Sequence, residues 1–314
     1  ISQIRQSHQV LKEFQYDLHP VVRGYANRTL HINLDTNTII TKPVDQKMKD
    51  TFTGGKGFCL WLLWNAITGE TKWDDTRNEL VVAGGPIGGI TSYPGSGKCT
   101  VVTLSPLTKS IIDSNGGGYF GPYLKFSGFD ALEVQGKASE DVIILIDGDK
   151  GLVTIEAAPL DEVNTHILSK ELTFLYGGDT DKGKRAITVM SAGRAAEHVP
   201  MCGLNISYWD ARRQEIRIKQ AARGGAGTVL RNKRIKAIVV KYSETGGDSN
   251  GAANLDLIHA AGKRINKEIS EFDASQNDMR HFGTPYLVEI MNKFDILPVQ
   301  NFRFGSDQIG RAYV

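Results

Sequence analysis

The sequence SNGGGYFG, at residues 114–121, places three consecutive glycines between an asparagine and two aromatic residues. Glycine weakens a strand, and a run of it usually marks a turn, a bulge or a close approach of the backbone to another group. The adjacent aromatic side chains favour packing, which is not typical of a loose linker. The stretch therefore predicts ordered backbone that is either a strand corner or a cradle in which successive N–H groups face an anion.

Glycine is clustered in several further places along the chain, which has 34 glycines in 314 residues. The clusters lie at or within 54–57, 84–89, 95–97, 116–118 and 223–227. Clustered glycine in strand-rich sequence indicates many tight turns, or a large ligand that the backbone approaches closely. With 40% hydrophobic residues, a chain of this length can bury a substantial core, and the length favours about two domains.

The charge balance and the cysteines exclude several classes of protein. The net charge of +2 does not favour a nucleic-acid partner. No apolar run reaches the ~20 residues of a membrane helix, and the first residues lack the apolar core of a signal peptide, so we expect a cytoplasmic protein without a membrane span. Cys59, Cys99 and Cys202 are too widely spaced to indicate a disulfide framework or a metal site, and we expect small buried apolar residues there.

The periodicity of apolar residues predicts a β-rich α+β domain up to about residue 243, followed by a helical part. A short helix is expected within 4–16, and an apolar, buried helix over about 57–67. The polar, glycine-rich segment at 243–254 indicates a boundary. We accordingly divide the chain into an N-terminal extension (1–27), a β-rich domain (28–243) and the start of a helical domain (244–314).

Two basic, glycine-containing segments are candidates for phosphate binding. PGSGKCT, at 94–100, resembles a P-loop, but Ser92 and Cys99 occupy the positions of the first glycine and of the hydroxyl residue, so nucleotide hydrolysis is not expected. Lys98 remains a cation at a glycine turn, suited to a phosphate or simply solvated. The basic run at 211–227 ends in glycines, which suits a phosphate better than RNA because no aromatic-basic repeat accompanies it.

Taken in order, the glycine blocks resemble those of the aldehyde:ferredoxin oxidoreductase family, tungsten enzymes with a bis-pyranopterin cofactor. The resemblance covers about 28–302, and the block at 103–138, which contains SNGGGYFG, is highly specific. The other blocks are GGKGF (54–58), AGGPIGG (83–89), SAGRAAEHV (191–199), RGGAGTVLRNKRIKAIVV (223–240), HFGTPYLVEIMN (281–292) and LPVQNF (297–302). The resemblance implies a domain of two β-sheets that forms a base for the cofactor, and helical domains that complete the site.

The resemblance also assigns binding residues. Asn115 matches the asparagine that serves the magnesium ion linking the two pterin phosphates, and Gln220 matches the residue whose backbone carbonyl reaches that ion. Lys98 and Lys219 stand where the family usually has arginine, so the charge is retained but the planar, bidentate guanidinium is lost. The full predicted cofactor site is Lys98, Asn115, Gly116, Gly117, Gly118, Lys219, Gln220, Ala221, Arg223, Gly224 and Gly225, with Asn115 and Gln220 as the magnesium residues. No catalytic residue is assigned.

The chain departs from the family pattern in three respects. The usual GPAGEN reads GRAAEH at 193–198 and the usual VMGSK reads VLRNK at 229–233, which favours a subfamily with altered substrate or partners. The family's 4Fe–4S cluster uses a C-x-x-C-x-x-x-C run after the LP..NF segment and a later cysteine, and the three cysteines here do not match those ligands. We therefore expect a longer chain or a complementing chain to supply the cluster and the residues that act near tungsten.

The resemblance implies oxidation of an aldehyde to a carboxylic acid at tungsten, or at molybdenum. Electrons would then pass through the cluster to ferredoxin or to an iron–sulfur subunit. Two alternatives stay open at this point: the tungsten subunit of a class II benzoyl-CoA reductase, and a non-catalytic cofactor-binding half that needs a partner chain. We also expect Tyr119, Phe120 and Trp61 to pack behind the glycine cradle and stiffen it.

Overall fold

The structure is a computed structural model that describes residues 9–158, 164–244, 249–271 and 274–307. The chain divides into two compact units. The first comprises Ile1–Thr91 and Gly95–Leu255, and the second comprises Ser92–Pro94 and Asp256–Val314.

The first unit is an α+β fold with two β-sheets, so the predicted fold class is confirmed. Its strands are β1 (Val10–Gln15), β2 (Arg28–Asn33), β3 (Thr38–Pro43), β4 (Leu80–Ala83), β5 (Cys99–Leu104), β6 (Ile111–Gly116), β7 (Ala131–Gln135), β8 (Val142–Asp147), β9 (Leu152–Ala157), β10 (Ile187–Ser191), β11 (Leu204–Asp210), β12 (Glu215–Ala221) and β13 (Ile235–Lys241). Its helices are α1 (Gln46–Thr51), α2 (Lys56–Ala66), α3 (Phe120–Phe126), α4 (Thr165–Gly177), α5 (Asp181–Arg185), α6 (Ala226–Asn232) and a 3₁₀ turn (Arg194–Glu197).

The two sheets have seven and six strands, in the orders β1-β9-β8-β13-β10-β11-β12 and β3-β2-β7-β4-β5-β6. Each sheet has one parallel pair, β8 with β13 and β2 with β7, and is otherwise antiparallel. The main apolar core draws side chains from both sheets, among them Leu30, Ile32, Ile144 and Ile155. The strand order leaves β12 and β6 as edge strands, so their outer edges are available to face each other or a ligand.

The expected helix within 4–16 is wrong over its described part, because Val10–Gln15 forms β1 and pairs antiparallel with β9. The pairing register shifts between Val10 and Lys12, which is a β-bulge. As a result Leu11 and Phe14, three residues apart, both pack against the core. The bulge gives a strand the spacing of a helix, and periodicity alone therefore indicated the wrong element.

The expected apolar helix is present as α2, but it is only partly buried. Phe58, Cys59 and Leu63 are buried, whereas Trp64 is 75% exposed. Because apolar residues surround this helix, we expected all of its faces to be buried, but only one face lies in the core. The strands β11 and β12 and the helix α6 were not predicted from the sequence, and β12 lies within the basic segment at 211–227.

The C-terminal part is helical, with α7 (Leu255–Ser270), α8 (Ala274–Phe282), a 3₁₀ turn (Thr284–Tyr286) and α9 (Leu287–Lys293). Among the described helices, none combines the length and the apolar character that crossing a membrane requires.

Candidate cofactor-binding site

The glycine run begins where β6 ends and lies against the edge of the other sheet. Gly116 is the last residue of β6, and a Cβ there would lie only 2.3 Å from Ile206 Cδ1 and 3.6 Å from Ala221 Cβ. Any larger residue at this position would require the Ile206 side chain to move, so glycine favours the close approach of β6 to β11 and β12. The first glycine of the run thus has a reason in protein packing, whether or not a ligand is bound.

The two following glycines form the turn between β6 and α3. Gly118 has φ +100°, which favours glycine, and a Cβ at Gly117 would be 3.6 Å from Lys219 Cγ. A Cβ at Gly97 would be 2.6 Å from the carbonyl oxygen of Gly118, so the turn that carries Lys98 lies against the same glycines. Residues far apart in sequence, on β12 and before β5, are therefore neighbours of the glycine run.

Asn115 lies beside the beginning of helix α2. It is exposed, it stands opposite Thr100 in the β5–β6 pairing, and its Oδ1 accepts a hydrogen bond from Thr100 Oγ1 at 2.9 Å. Gly55, the N-cap residue of α2, has φ +52°, and a Cβ there would be 3.7 Å from Thr100 Oγ1. The exposed amide of Asn115 thus shares its surroundings with a helix N-terminus, where the partial charge favours anions.

The segment after β12 is fixed to the second sheet by hydrogen bonds. The backbone N–H of Arg223 donates to Ser114 Oγ at 3.0 Å, and Ser105 Oγ donates to the carbonyl of Gly224 at 2.6 Å. Gly224 and Gly225 have φ +62° and +80°, and Gly225 is the N-cap residue of α6. The N–H of Gly227, in the first turn of α6, donates to the carbonyl of Cys202 at 2.8 Å, so this helix start is packed against protein and not open to a ligand.

Gln220 points away from the glycine run, because neighbouring residues of a strand face opposite sides and Lys219 contacts Gly117. Its Nε2 donates to Asn205 Oδ1 at 3.3 Å, and the side chain lines a separate cavity of about 510 Å³ with Arg194 and Cys202. The predicted magnesium role of Gln220 depends on its backbone carbonyl and not on this side chain. Within the described residues, no group of three or more His, Cys, Asp or Glu side chains is arranged to hold a metal ion.

The site has an excess of positive charge. Lys98, Lys219, Arg217 and Arg223 are all exposed. Among the described residues, none of these four forms an ion pair. Exposed cations without an ion-pair partner, next to glycine backbone that a ligand can approach, are the features expected of a site for a phosphate-bearing ligand. The structure thus brings together nearly all of the residues that the sequence analysis proposed, although their binding roles stay predictions.

The aromatic residues after the run differ in their roles. Phe120 is fully buried in the main core, as expected, whereas Tyr119 is 42% exposed and stacks on Tyr123 with ring centroids 5.5 Å apart. Trp61 belongs to a different apolar cluster, where its ring centroid lies 6.2 Å from that of Phe52. The expectation that all three aromatic residues pack behind the cradle is therefore correct only for Phe120.

Two of the three cysteines are buried apolar residues, as expected. Burial raises the pKa of Cys99 to about 12 and raises the pKa of Cys59 well above its ordinary value. Cys202 is half-buried and its pKa is also raised by burial.

The two sheets form an α+β domain in which exposed cations and a glycine run lie at the junction of β6 and β12. The sequence profile of the family "Aldehyde ferredoxin oxidoreductase, N-terminal domain" matches residues 29–242, more than half of the chain. The chain therefore belongs to this family, and the resemblance found in the sequence is confirmed.

Similar proteins include the tungsten-containing aldehyde ferredoxin oxidoreductase of Pyrococcus furiosus, 30% identical over 283 residues, or 90% of this chain and 43% of that protein. The aliphatic sulfonate oxidoreductase, WOR-like subunit, of the same organism is 25% identical over 238 residues, or 70% of this chain and 35% of that protein. The active-site complex BamBC of benzoyl coenzyme A reductase, solved with 1,5-dienoyl-CoA, matches with a TM-score of 0.59 and 27% identity, over 70% of this chain and 31% of that chain. This chain thus spans less than half of the length of these relatives.

Proposed function

We propose that this chain holds a tungsten bis-pyranopterin cofactor where β6 meets β12, within an oxidoreductase that converts aldehydes to carboxylic acids. The observation that carries the proposal is that the Lys98 turn and Lys219 adjoin Gly116–Gly118, while the Arg223 backbone is bonded to Ser114 of the same strand. The relatives named as tungsten-containing aldehyde ferredoxin oxidoreductases support the metal and the reaction. In this proposal residues 28–243 are the cofactor-binding domain and 244–314 begin a helical domain.

The residues of this chain would bind and orient the cofactor. The ammonium groups of Lys98 and Lys219 and the guanidinium of Arg223 would neutralise pterin phosphates, and the glycine backbone would allow the pterin to approach closely. Asn115 Oδ1 and the Gln220 carbonyl would hold a Mg²⁺ ion, for which oxygen ligands are the preferred type. When bound, the tungsten centre, or molybdenum in its place, supplies redox chemistry that protein side chains lack.

The rest of the enzyme would provide the electron path. Since the three cysteines of this chain are buried or half-buried apolar residues, we assign the 4Fe–4S cluster to a longer chain or to a complementing chain. That part would pass electrons to ferredoxin or to an iron–sulfur subunit, and it would supply residues that act on the substrate.

A second candidate function is that of a benzoyl-CoA reductase subunit, which reduces an aromatic ring carried on coenzyme A. The fold similarity to the benzoyl coenzyme A reductase complex favours it, with a TM-score of 0.59. Turnover assays with aldehydes and with benzoyl-CoA, on protein matured with its partner chains, distinguish the two reactions.

The binding proposal is tested by metal and pterin analysis of protein produced in a host that makes the cofactor. We expect tungsten or molybdenum together with pterin in the wild type, and about a tenfold loss in Lys98→Gln and Lys219→Gln because each removes a charge-assisted contact. Lys170→Gln, which removes an exposed lysine of α4, is the matched control and should retain the cofactor. Wild-type protein that contains neither metal after maturation would overturn the proposal.

A further inference from the structure

Lys125 is a buried lysine whose ammonium group donates hydrogen bonds to backbone carbonyls of the loop at 84–90. It is the second-last residue of α3 and only 3% exposed. Its Nζ donates to the carbonyl oxygens of Pro86 at 2.9 Å and Gly85 at 3.3 Å, and to Asn250 Oδ1. A buried ammonium is costly, so three acceptors around it indicate that the position has a specific use.

Asn250 completes the contacts to this loop. It is 3% exposed, its Nδ2 donates to the carbonyl of Gly88 at 3.0 Å, and its own carbonyl accepts from the N–H of Gly24 at 2.8 Å. Two side chains thus satisfy the carbonyls of Gly85, Pro86 and Gly88. Without them, the carbonyls of Pro86 and Gly88 would lose these donors, whereas the carbonyl of Gly85 would keep the N–H of Gly88 at 3.0 Å.

The loop in turn contacts both sides of the candidate cofactor site. The N–H of Gly89 donates to the carbonyl of Ser96 at 2.9 Å, in the turn that leads to Lys98. At the other end of the loop, the carbonyl of Gly84 accepts from the N–H of Gly55 at 2.7 Å, at the start of α2. The loop therefore connects the Lys98 turn to the helix N-terminus beside Asn115.

We infer that Lys125 and Asn250 are positioning residues for the cofactor site, which act by fixing the loop at 84–90 and, through it, the Lys98 turn. The inference rests on the proposed function and adds two residues to it. Asn250 lies in the glycine-rich segment at 243–254, outside the part matched by the family profile and inside the stretch that the sequence indicated as a boundary. A segment with the composition of a linker thus contributes to the site.

The charge state of Lys125 is consistent with this role. Burial lowers the pKa of Lys125 to about 8, against the opposing attraction of the Asp130 carboxylate. The ammonium form, which can donate to three acceptors at once, therefore predominates at neutral pH.

Hydrogen exchange of the backbone amides tests the anchoring directly, with or without a cofactor. In Lys125→Met we expect the amides of 84–98 to exchange at least about tenfold faster than in the wild type, and those of β8 to be unchanged. Asn250→Leu is a second variant with the same expected result, and it keeps the test decisive if Lys125→Met does not fold.

Lys233→Met is the matched control. Lys233 is also buried, at 2% exposure, its pKa is likewise lowered to about 8, and it donates to the carbonyls of Asn78 and Gly136 instead of the loop. We expect this variant to leave exchange at 84–98 unchanged. Unchanged exchange in both Lys125→Met and Asn250→Leu, or equal acceleration in Lys233→Met, would overturn the inference.

Metal analysis separates this inference from the proposed function. If wild-type protein binds tungsten and pterin but Lys125→Met retains them fully, the positioning role is wrong and the proposed function stands. If the wild type binds neither, the proposed function is wrong, and the exchange result still decides whether the two residues anchor the loop. We expect about a tenfold loss of cofactor in Lys125→Met and at most a small loss in Lys233→Met.

Discussion

The backbone N–H of Arg223 donates to Ser114 Oγ at 3.0 Å, which connects the segment after β12 in one sheet to β6 in the other. Ser114 is only 1% exposed, so the bond is shielded from water. The candidate site is built from the edges of both sheets, so hydrogen bonds between the sheets, such as this one, fix the distance between its two sides.

Removal of the Ser114 hydroxyl should loosen the junction of the two sheets. We expect Ser114→Ala to lower the free energy of unfolding by about 1–3 kcal/mol, because the Arg223 N–H is left without its acceptor. Ser207→Ala is the matched control, since the Oγ of this fully buried serine has no hydrogen-bond partner among the described residues, and its removal should cost little. Urea denaturation measures both values, and equal losses would contradict the prediction.

A side chain at Gly224 should be tolerated poorly. Gly224 has φ +62°, and a Cβ there would lie 2.7 Å from Ile112 Cγ1. Gly95 has φ +82° with nothing within 4 Å of the same position, so Gly95→Ala carries a backbone cost of about 1 kcal/mol without a steric conflict. We expect Gly224→Ala to cost about 1–3 kcal/mol more in thermal or chemical denaturation, because of the steric conflict. Similar losses in the two variants would show that the backbone at 224 can move away.

Burial of Lys233 should make stability rise with pH above neutrality. Its pKa is lowered to about 8 by burial, so between about pH 8 and 10 the folded state binds fewer protons than the unfolded state. The free energy of unfolding then increases with pH, by about 1 kcal/mol from this lysine between pH 7 and 9. We expect Lys233→Met to lose that increment relative to the wild type.

Comparing the pH dependence of stability in the wild type and in Lys233→Met cancels the contributions of the other groups that titrate in this range. The buried thiols Cys59 and Cys99 have raised pKa values and reduce stability at higher pH, but they do so equally in both proteins. Lys170→Met, at an exposed position, should reproduce the pH slope of the wild type. Parallel curves for Lys233→Met and the wild type would contradict the prediction.

The ion pairs of Arg231 should contribute more to the free energy of unfolding than an ion pair at the surface does. It stands in the segment that departs from the family pattern, it is 8% exposed, and its Nη2 lies 2.6 Å from Glu197 Oε1 and 3.1 Å from Asp141 Oδ2. We expect Arg231→Met to cost about 1–3 kcal/mol, since the buried guanidinium bonds to both Glu197 and the half-buried Asp141, which among the described residues would keep only Lys236 at 3.8 Å. Arg213→Met breaks the exposed pair with Asp210 and should cost under about 1 kcal/mol in the same denaturation experiment.

The strands with continuous apolar sequence could be predicted because their periodicity and composition reflect burial on both faces. The five apolar strands β7, β8, β9, β10 and β13 all lie in the part of the chain that the sequence indicated as β-rich. The strand β12 and helix α6 were missed, because the basic segment that contains them has the composition of an exposed loop. In β1 the bulge places Leu11 and Phe14, which are three residues apart, on the same core, so a strand there has the apolar spacing typical of a helix.

The sequence by itself determined the α+β fold class, the core strands and the family, since apolar periodicity and the order of the glycine blocks are both properties of the linear chain. Only the tertiary structure decided that Gly117 lies beside Lys219, that Gly116 lies against Ile206, and that Asn250 holds the loop at 84–90. Such contacts depend on strand order and on which sheet edges meet. Local preferences act over a few residues, whereas these pairs are brought together only when both sheets have formed around a common core.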